Sequence, residues 1–310
     1  MSKIKNTFLI SMLAFIGCKS YKKAEPTDIT YSDFTNNQKH WECAEGNISY
    51  IDEGEGEPIL LLHGVPTSGW LYRKMIDPLV KKGYRVIVPD MLGYGSSDNP
   101  DGYDIYDKKE QARHILGLME YLNIPNWHHV MHDAGGLWTW EMAKLDNTKI
   151  NKLTILNTII YKEGFKPPVK VNDNALARLI KWSYQKKTNF MIYVLFEDGT
   201  MEDYELNKAD IEGYRAPLKK KKTNALHKFF TTNTKGIPDY SETLKSIDVP
   251  VQVIWGANDK ILKWDAQSER VMSDLKIKEE NVHVLEDKNH FLQEEATDKL
   301  VSLIGAFKKY

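Results

Sequence analysis

Two cysteines in 310 residues, Cys18 and Cys43, are too few for a disulfide framework or a multi-thiolate zinc site. An excess of one charge is also missing. The 42 Lys and Arg face 43 Asp and Glu, so the chain has neither a basic footprint for nucleic acid nor an acidic tail. The apolar run FLISMLAFI (8–16) falls far short of the ~20 residues a membrane-spanning helix requires. No G-x-S-x-G and no H-E-x-x-H occurs. GYGSSD (93–98) lacks the third glycine of a dinucleotide fingerprint. His128 and His129 are neighbours on an expected strand, face opposite sides, and make a poor metal pair. Repeats and low-complexity stretches are absent apart from the lysine run 219–222, read as solvated surface. What is present is 42% hydrophobic and 11% aromatic residues, enough for a substantial core.

Residues 1–18 read as a signal sequence: Lys3 and Lys5, then the short apolar run, then Gly17-Cys18. A small residue directly before a cysteine resembles the bacterial lipoprotein cleavage site. That resemblance implies lipidation at Cys18 and a membrane-anchored protein of the bacterial cell envelope. A plainly cleaved signal, with a secreted or periplasmic product, is the alternative. Residues 19–45 are polar and are expected to form a tether.

From about residue 46 the pattern alternates. PILLLHG (58–64) and YRVIVPD (84–90) read as buried strands, and HHVMHD (128–133), KLTILNT (152–158), PVQVIWG (250–256) and NVHVLED (281–287) as further strands. Between them come helical patterns. Ser68 can cap a helix that Gly83 closes, and Ala112, Ile115, Leu116, Met119 and Leu122 share one helical face. A last helix is expected over 294–308. This predicts an α/β fold with a mainly parallel sheet covered on both sides. The core is expected to comprise 46–159 and 241–310. Residues 160–240 break the rhythm and read as an inserted helical cap.

Four positions lie just beyond expected strand ends, where an open α/β sheet builds its sites. They are His63-Gly64-Val65-Pro66, His132-Asp133-Ala134-Gly135-Gly136, Asp259 in WGAND, and His290 in KNHF. A sharp strand–turn–helix would lift Asp133 above the sheet at a helix N-terminus. Each has a plain structural explanation when taken alone: a turn, a helix cap, a buried histidine. Together they fall in the chain order nucleophile, acid, histidine.

On HGVPTSGWLYRKM (63–75), PDMLGYGSSDNP (89–100), HDAGG (132–136), YRAP (214–217), WGANDK (255–260) and NHFLQEE (289–295), the chain resembles the α/β-hydrolase family. Within it, it is most similar to the haloalkane dehalogenase and epoxide hydrolase group. The resemblance covers roughly 47–310. It implies Asp133 as carboxylate nucleophile, His290 as base, Asp259 as the acid that orients it, and the N–H groups of Val65 and Ala134 as an oxyanion hole. It also implies a cis Pro66 and a structural turn role for Asp90.

An ionised carboxylate can attack an sp³ carbon unaided and form an ester. A histidine-activated water then attacks the ester carbonyl, and two backbone donors hold the oxyanion. Neither metal nor organic cofactor is required. The expected partners are water and a small apolar organic substrate, first a haloalkane as in dehalogenases and, as the alternative, an epoxide opened with help from lid tyrosines. The positions that hold halide in the resembled dehalogenases carry Val65 and Ala134, which have no donor side chain. Trp182, Tyr184 and Tyr214 are the candidates to contact substrate or leaving group, while Trp138 and Trp140 read as packing. A non-catalytic, ligand-binding lipoprotein on the same fold is the remaining alternative.

Overall fold

The computed structural model describes residues 29–171, 174–204 and 206–308. The address read from residues 1–18, Cys18 included, lies outside the described residues. Eight strands form one sheet: β1 (Lys39–Cys43), β2 (Gly46–Glu53), β3 (Glu57–Leu62), β4 (Tyr84–Pro89), β5 (Trp127–Asp133), β6 (Ile150–Thr158), β7 (Val251–Gly256) and β8 (Val282–Leu285). Their order is β1-β2-β4-β3-β5-β6-β7-β8. The pairs β1–β2 and β2–β4 are antiparallel and all others parallel. The chain has the α/β-hydrolase fold.

Helices cover both faces. In chain order they are α1 (Tyr31–Asn36), α2 (Arg73–Lys81), α3 (Lys108–Tyr121), α4 (Gly135–Asp146), α5 (Asn174–Lys186) and α6 (Thr188–Gly199). Then come α7 (Lys208–Lys219), α8 (Asn224–Asn233), α9 (Ser241–Ser246), α10 (Ser268–Asp274), α11 (Leu292–Glu295) and α12 (Thr297–Ala306). Strand alternation sorts the core into two layers. Ile59 and Leu61 of β3 pack with Met75 and Leu79 of α2 and Leu300 and Ile304 of α12. Leu60 and Leu62 pack with Ile115 and Met119 of α3 and Leu137 and Trp140 of α4. Every side chain in this set is buried. A strand covered on both faces favours apolar residues on both, which is why ILLL reads as an unbroken run.

Helices α5 to α8 are inserted between β6 and β7 and touch the core near His290. Phe291 N donates to Gly199 O at 3.0 Å. Asn289 Nδ2 reaches Asp198 O at 3.2 Å and Thr200 O at 3.0 Å. Trp70 Nε1 donates to Asp210 O at 2.9 Å.

Two expectations need correction. The segment 19–45 is not a tether throughout, since Tyr31–Asn36 is a helix and Lys39–Cys43 is the outer strand of the sheet. Phe34 is buried edge-on to Trp70, and Gln38 Nε2 donates to Asp90 Oδ2 at 2.8 Å. The edge strand KHWEC buries no residue fully, so it lacks the apolar signature of a strand. The expected last helix over 294–308 is also two helices, broken at Ala296, whose φ of −143° is not helical.

Candidate active site

Strand β5 ends at Asp133 and α4 begins two residues later. Asp133 itself has φ of 52°, the left-handed region that only Gly, Asn and Asp enter at modest cost. The bend is packed tightly. A Cβ at Gly64 would collide with the Asp133 side chain, and one at Gly136 with Thr158 and the Ile159 carbonyl. Thr158, at the end of β6, ties the bend down. Its Oγ1 donates to Asp133 O at 2.6 Å and accepts from Gly136 N at 3.0 Å. The Val65–Pro66 peptide bond is cis. Val65 N donates to Asp133 Oδ1 at 2.7 Å, and the Ala134 N–H is directed at the same carboxylate.

His290 follows β8 in a loop. Its Nδ1 lies 2.7 Å from Asp259 Oδ2, which can only accept, so the proton sits on Nδ1. The other ring nitrogen, Nε2, is 3.9 Å from Asp133 Oδ2, beyond hydrogen-bond reach. Asp259 also accepts from Asn157 Nδ2 at 2.9 Å, Ile261 N at 2.8 Å and Leu262 N at 2.9 Å. Four donors therefore fix its orientation.

Burial pushes the Asp133 carboxyl above its usual value, against the opposing pull of His290 and the N–H groups of Val65 and Ala134. For His290, burial works downward, but the charge and hydrogen bond of Asp259, with the charge of Asp133, leave it raised. Asp259 is the reverse case. Burial would raise it, yet His290, Leu262 N–H and Asn157 hold it low. Asp259 thus stays ionised, and the imidazole beside it is a stronger base than a free one.

The structure brings together Asp133, His290, Asp259, Val65 and Ala134. It separates the three substrate-contact candidates. Tyr184 is buried, its hydroxyl has no partner among the described residues, and burial together with the Asp133 charge pushes it up. Tyr214 is engaged elsewhere, hydrogen-bonded to Glu294 and to Arg73 Nη1. Trp182 is 48% exposed, and an indole so open to water does not offer an anion a dry site. Tyr94, not singled out in the sequence, is buried with its hydroxyl unpartnered among the described residues, and the Asp133 charge acts on it too.

His63 is structural. Its Nε2 accepts from Met91 N at 3.0 Å, its Nδ1 lies 2.8 Å from Gly64 O, and burial lowers it to about 4. His132 lies behind His290, its Nε2 2.9 Å from the His290 carbonyl and the rings 4.5 Å apart. Asp90 is a turn holder, accepting from Gly69 N and Ser96 N at 2.7 Å each. Asn157 and Thr158 were not read from the sequence. Their only signal is position, at the C-terminal end of a central strand.

Comparison with known proteins agrees with this architecture. A family model described as alpha/beta hydrolase fold matches residues 57–297. A cis-3-alkyl-4-alkyloxetan-2-one decarboxylase of Shewanella oneidensis is 27% identical over 87% of this chain and 88% of its own. A haloalkane dehalogenase of Psychrobacter cryohalolentis is 26% identical over 86% of this chain and 88% of its own. The solved epoxide hydrolase VrEH1 of Vigna radiata superposes with a TM-score of 0.70 at 21% identity, covering 87% of this chain and 97% of that one. With the family model spanning most of the chain and the sheet, bend and insert all in place, this protein belongs to the α/β-hydrolase family, in its haloalkane dehalogenase and epoxide hydrolase-like group.

Proposed function

We propose that this hydrolase works through an alkyl ester on Asp133. The observation that carries the reading is the division of labour between the two carboxylate oxygens. Oδ1 is held by Val65 N–H at 2.7 Å, and Oδ2 is the one that faces His290 Nε2 at 3.9 Å. Oδ2 attacks an sp³ carbon, the carbon–leaving-group bond breaks, and the ester forms. His290 Nε2 then takes a proton from water, and the oxygen of that water bonds to the ester carbonyl carbon. The resulting oxyanion sits on Oδ1, between the N–H groups of Val65 and Ala134. Collapse breaks the bond to the alkyl oxygen, the leaving alkoxide takes the proton held by His290, and Asp133, left as the acid, gives up its proton to solvent. Asp259 holds the imidazole tautomer and balances the imidazolium.

The leaving atom best matched to this pocket is oxygen. Positions 65 and 134 supply no side-chain donor to a halide. Tyr184, kept protonated beside Asp133, can give its proton to an alkoxide as a strained ring opens. The relatives are named for both a four-membered lactone and an epoxide. Attack at an sp³ carbon of an epoxide releases an alkoxide that takes this proton, whereas the lactone releases a carboxylate that does not need it. The competing reading is a haloalkane, favoured by the dehalogenase relative.

One experiment separates these. His290→Gln is incubated with a panel of terminal epoxides, oxetan-2-ones and bromoalkanes, and the peptide carrying Asp133 is weighed by mass spectrometry. The expected result is an adduct from a ring substrate, weakened by Tyr184→Phe. An adduct from bromoalkanes alone would return the haloalkane assignment. Absence of any adduct, with ligand still bound, would favour a non-catalytic role. The envelope address is a separate proposal, tested by whether Cys18→Ser abolishes lipid labelling.

A further inference from the structure

Cys43, Glu45 and His114 bring a sulfur, a carboxylate oxygen and an imidazole nitrogen within 4.8 Å of one another. The first two flank the tight turn that pairs Cys43 with Gly46. His114 comes from α3, 69 residues beyond Glu45. The polarity of the cluster is unusual. Gln111 Nε2 donates to Leu92 O at 2.9 Å, which turns its Oε1 toward His114 Nδ1 at 3.4 Å. An amide oxygen only accepts, so the proton of the neutral ring belongs on Nδ1. His114 Nε2 then presents a lone pair to Glu45 Oε2, 3.2 Å away and also an acceptor. Two acceptors at that distance are held together by something positive between them, either a second proton on the ring or a metal ion. The sulfur beside them is a thiol that donates to Gly46 O at 3.0 Å, so all three side chains of the cluster carry a potential metal-donor atom.

We propose that Cys43, Glu45 and His114 bind a divalent ion of the zinc type, with water in the fourth position and Gln111 orienting the imidazole. Thiolate, imidazole and carboxylate are the zinc donor set, with bonds of about 2.3, 2.0 and 2.1 Å. Ligand atoms already within 4.8 Å of one another need only small side-chain shifts to meet such an ion. As the metal–sulfur bond forms, the Cys43 thiol gives up to solvent the proton it now donates to Gly46 O at 3.0 Å. The His114 side chain is 5% exposed and that of Glu45 33%, so the ion enters from the Glu45 side. The strand β1 lies four positions from β5 in the sheet, roughly 19 Å at ~4.8 Å per strand. The ion is therefore a clip between the first hairpin and α3, outside the Asp133 site.

The test is a titration of the chelator-treated full chain with Co²⁺, followed by Zn²⁺. The expected result is one equivalent bound, a near-ultraviolet thiolate-to-cobalt band, and loss of that band as Zn²⁺ displaces the probe. Cys18→Ser should keep the band and Cys43→Ser should lose it, both with wild-type circular dichroism. Gln111→Ala should weaken binding by 10–100-fold, the usual effect of removing a ligand's hydrogen-bond partner. A folded wild type without the band, or a band that survives Cys43→Ser, would overturn the site and leave a proton shared by His114 and Glu45.

Discussion

Asp133 is held where it is costly to be: buried, ionised and at φ of 52°. Its folded pKa is raised, so its charge destabilises the fold at neutral pH, and the cost vanishes below about 3.9, where the unfolded carboxyl is protonated as well. Asp133→Asn keeps the shape, tolerates the left-handed backbone and removes the charge. It should abolish turnover yet raise stability at pH 7 by about 0.5–2 kcal/mol, the gain fading toward pH 4, as measured by urea unfolding. His290 carries the opposite sign. Its folded pKa is raised, so its pairing contributes stability below about 6.5 that is lost as pH climbs through the folded value. Only the neutral ring takes a proton from water. Single-turnover ester hydrolysis should therefore rise with pH to a plateau, with a midpoint above 6.5. Asp259→Asn should move that midpoint down and slow the step by about 10²–10⁴-fold. A pH profile unmoved by that change would remove Asp259 from its assigned role. These residues were legible because chemistry constrains their type as well as their place. Thr158 and Asn157 were not, because a threonine and an asparagine at a strand end carry no such constraint. Tyr214 was misjudged because its competing partners, Glu294 and Arg73, are 80 and 141 residues away in the chain.

Those partners belong to a buried ionic network that joins elements. Arg73 on α2 meets Glu294 on α11 at 2.5 Å and Asp210 on α7 at 2.6 Å, and Lys74 adds a contact to Glu294 at 2.8 Å. The Arg73 guanidinium also lies over the Trp70 ring at 4.5 Å. The network fastens the inserted helices to the core, four residues from His290. Burial alone would raise Glu294, but Arg73 and Lys74 hold it at about 2. Its contribution is thus complete above about 4.5 and lost as pH falls from there toward 2. Glu294→Gln leaves Arg73 short of one counter-charge in a dry site. It should cost about 3–5 kcal/mol in denaturant unfolding and flatten the acid limb of the stability curve. A loss under 1 kcal/mol would mean that Asp210 suffices. None of this network is visible in the sequence, since its members are ordinary helix-surface residues until the insert folds back onto them.

At the scale of the molecule, the sheet was legible where two-sided burial gives a strand an apolar run, as in ILLL of β3 and VIV of β4, and elsewhere from the alternation with helical patterns. It was illegible at its outer edge. The boundary placed at residue 46 follows apolar patterning, and the first elements among the described residues, α1 and β1, are mostly polar. They still close the fold. Phe34 is buried against Trp70, and β1 covers the backbone edge of β2 through the register Lys39–Tyr50 to Cys43–Gly46. Gln38 satisfies Asp90, itself buried and raised by that burial, in the turn that leads from β4. Deleting residues up to 45 would strip one edge of the sheet and uncover Trp70, which Tyr31 and Phe34 now meet edge-on. Removing a buried Phe costs about 3–5 kcal/mol, and an unpartnered buried polar group about 1–3 more. Compared with a chain beginning at Ile29, one beginning at Gly46 should lose at least ~4 kcal/mol in urea unfolding or fail to remain soluble. Equal midpoints for the two chains would restore residues 29–45 to the status of a tether and take the supports from beneath the Cys43 ion clip as well.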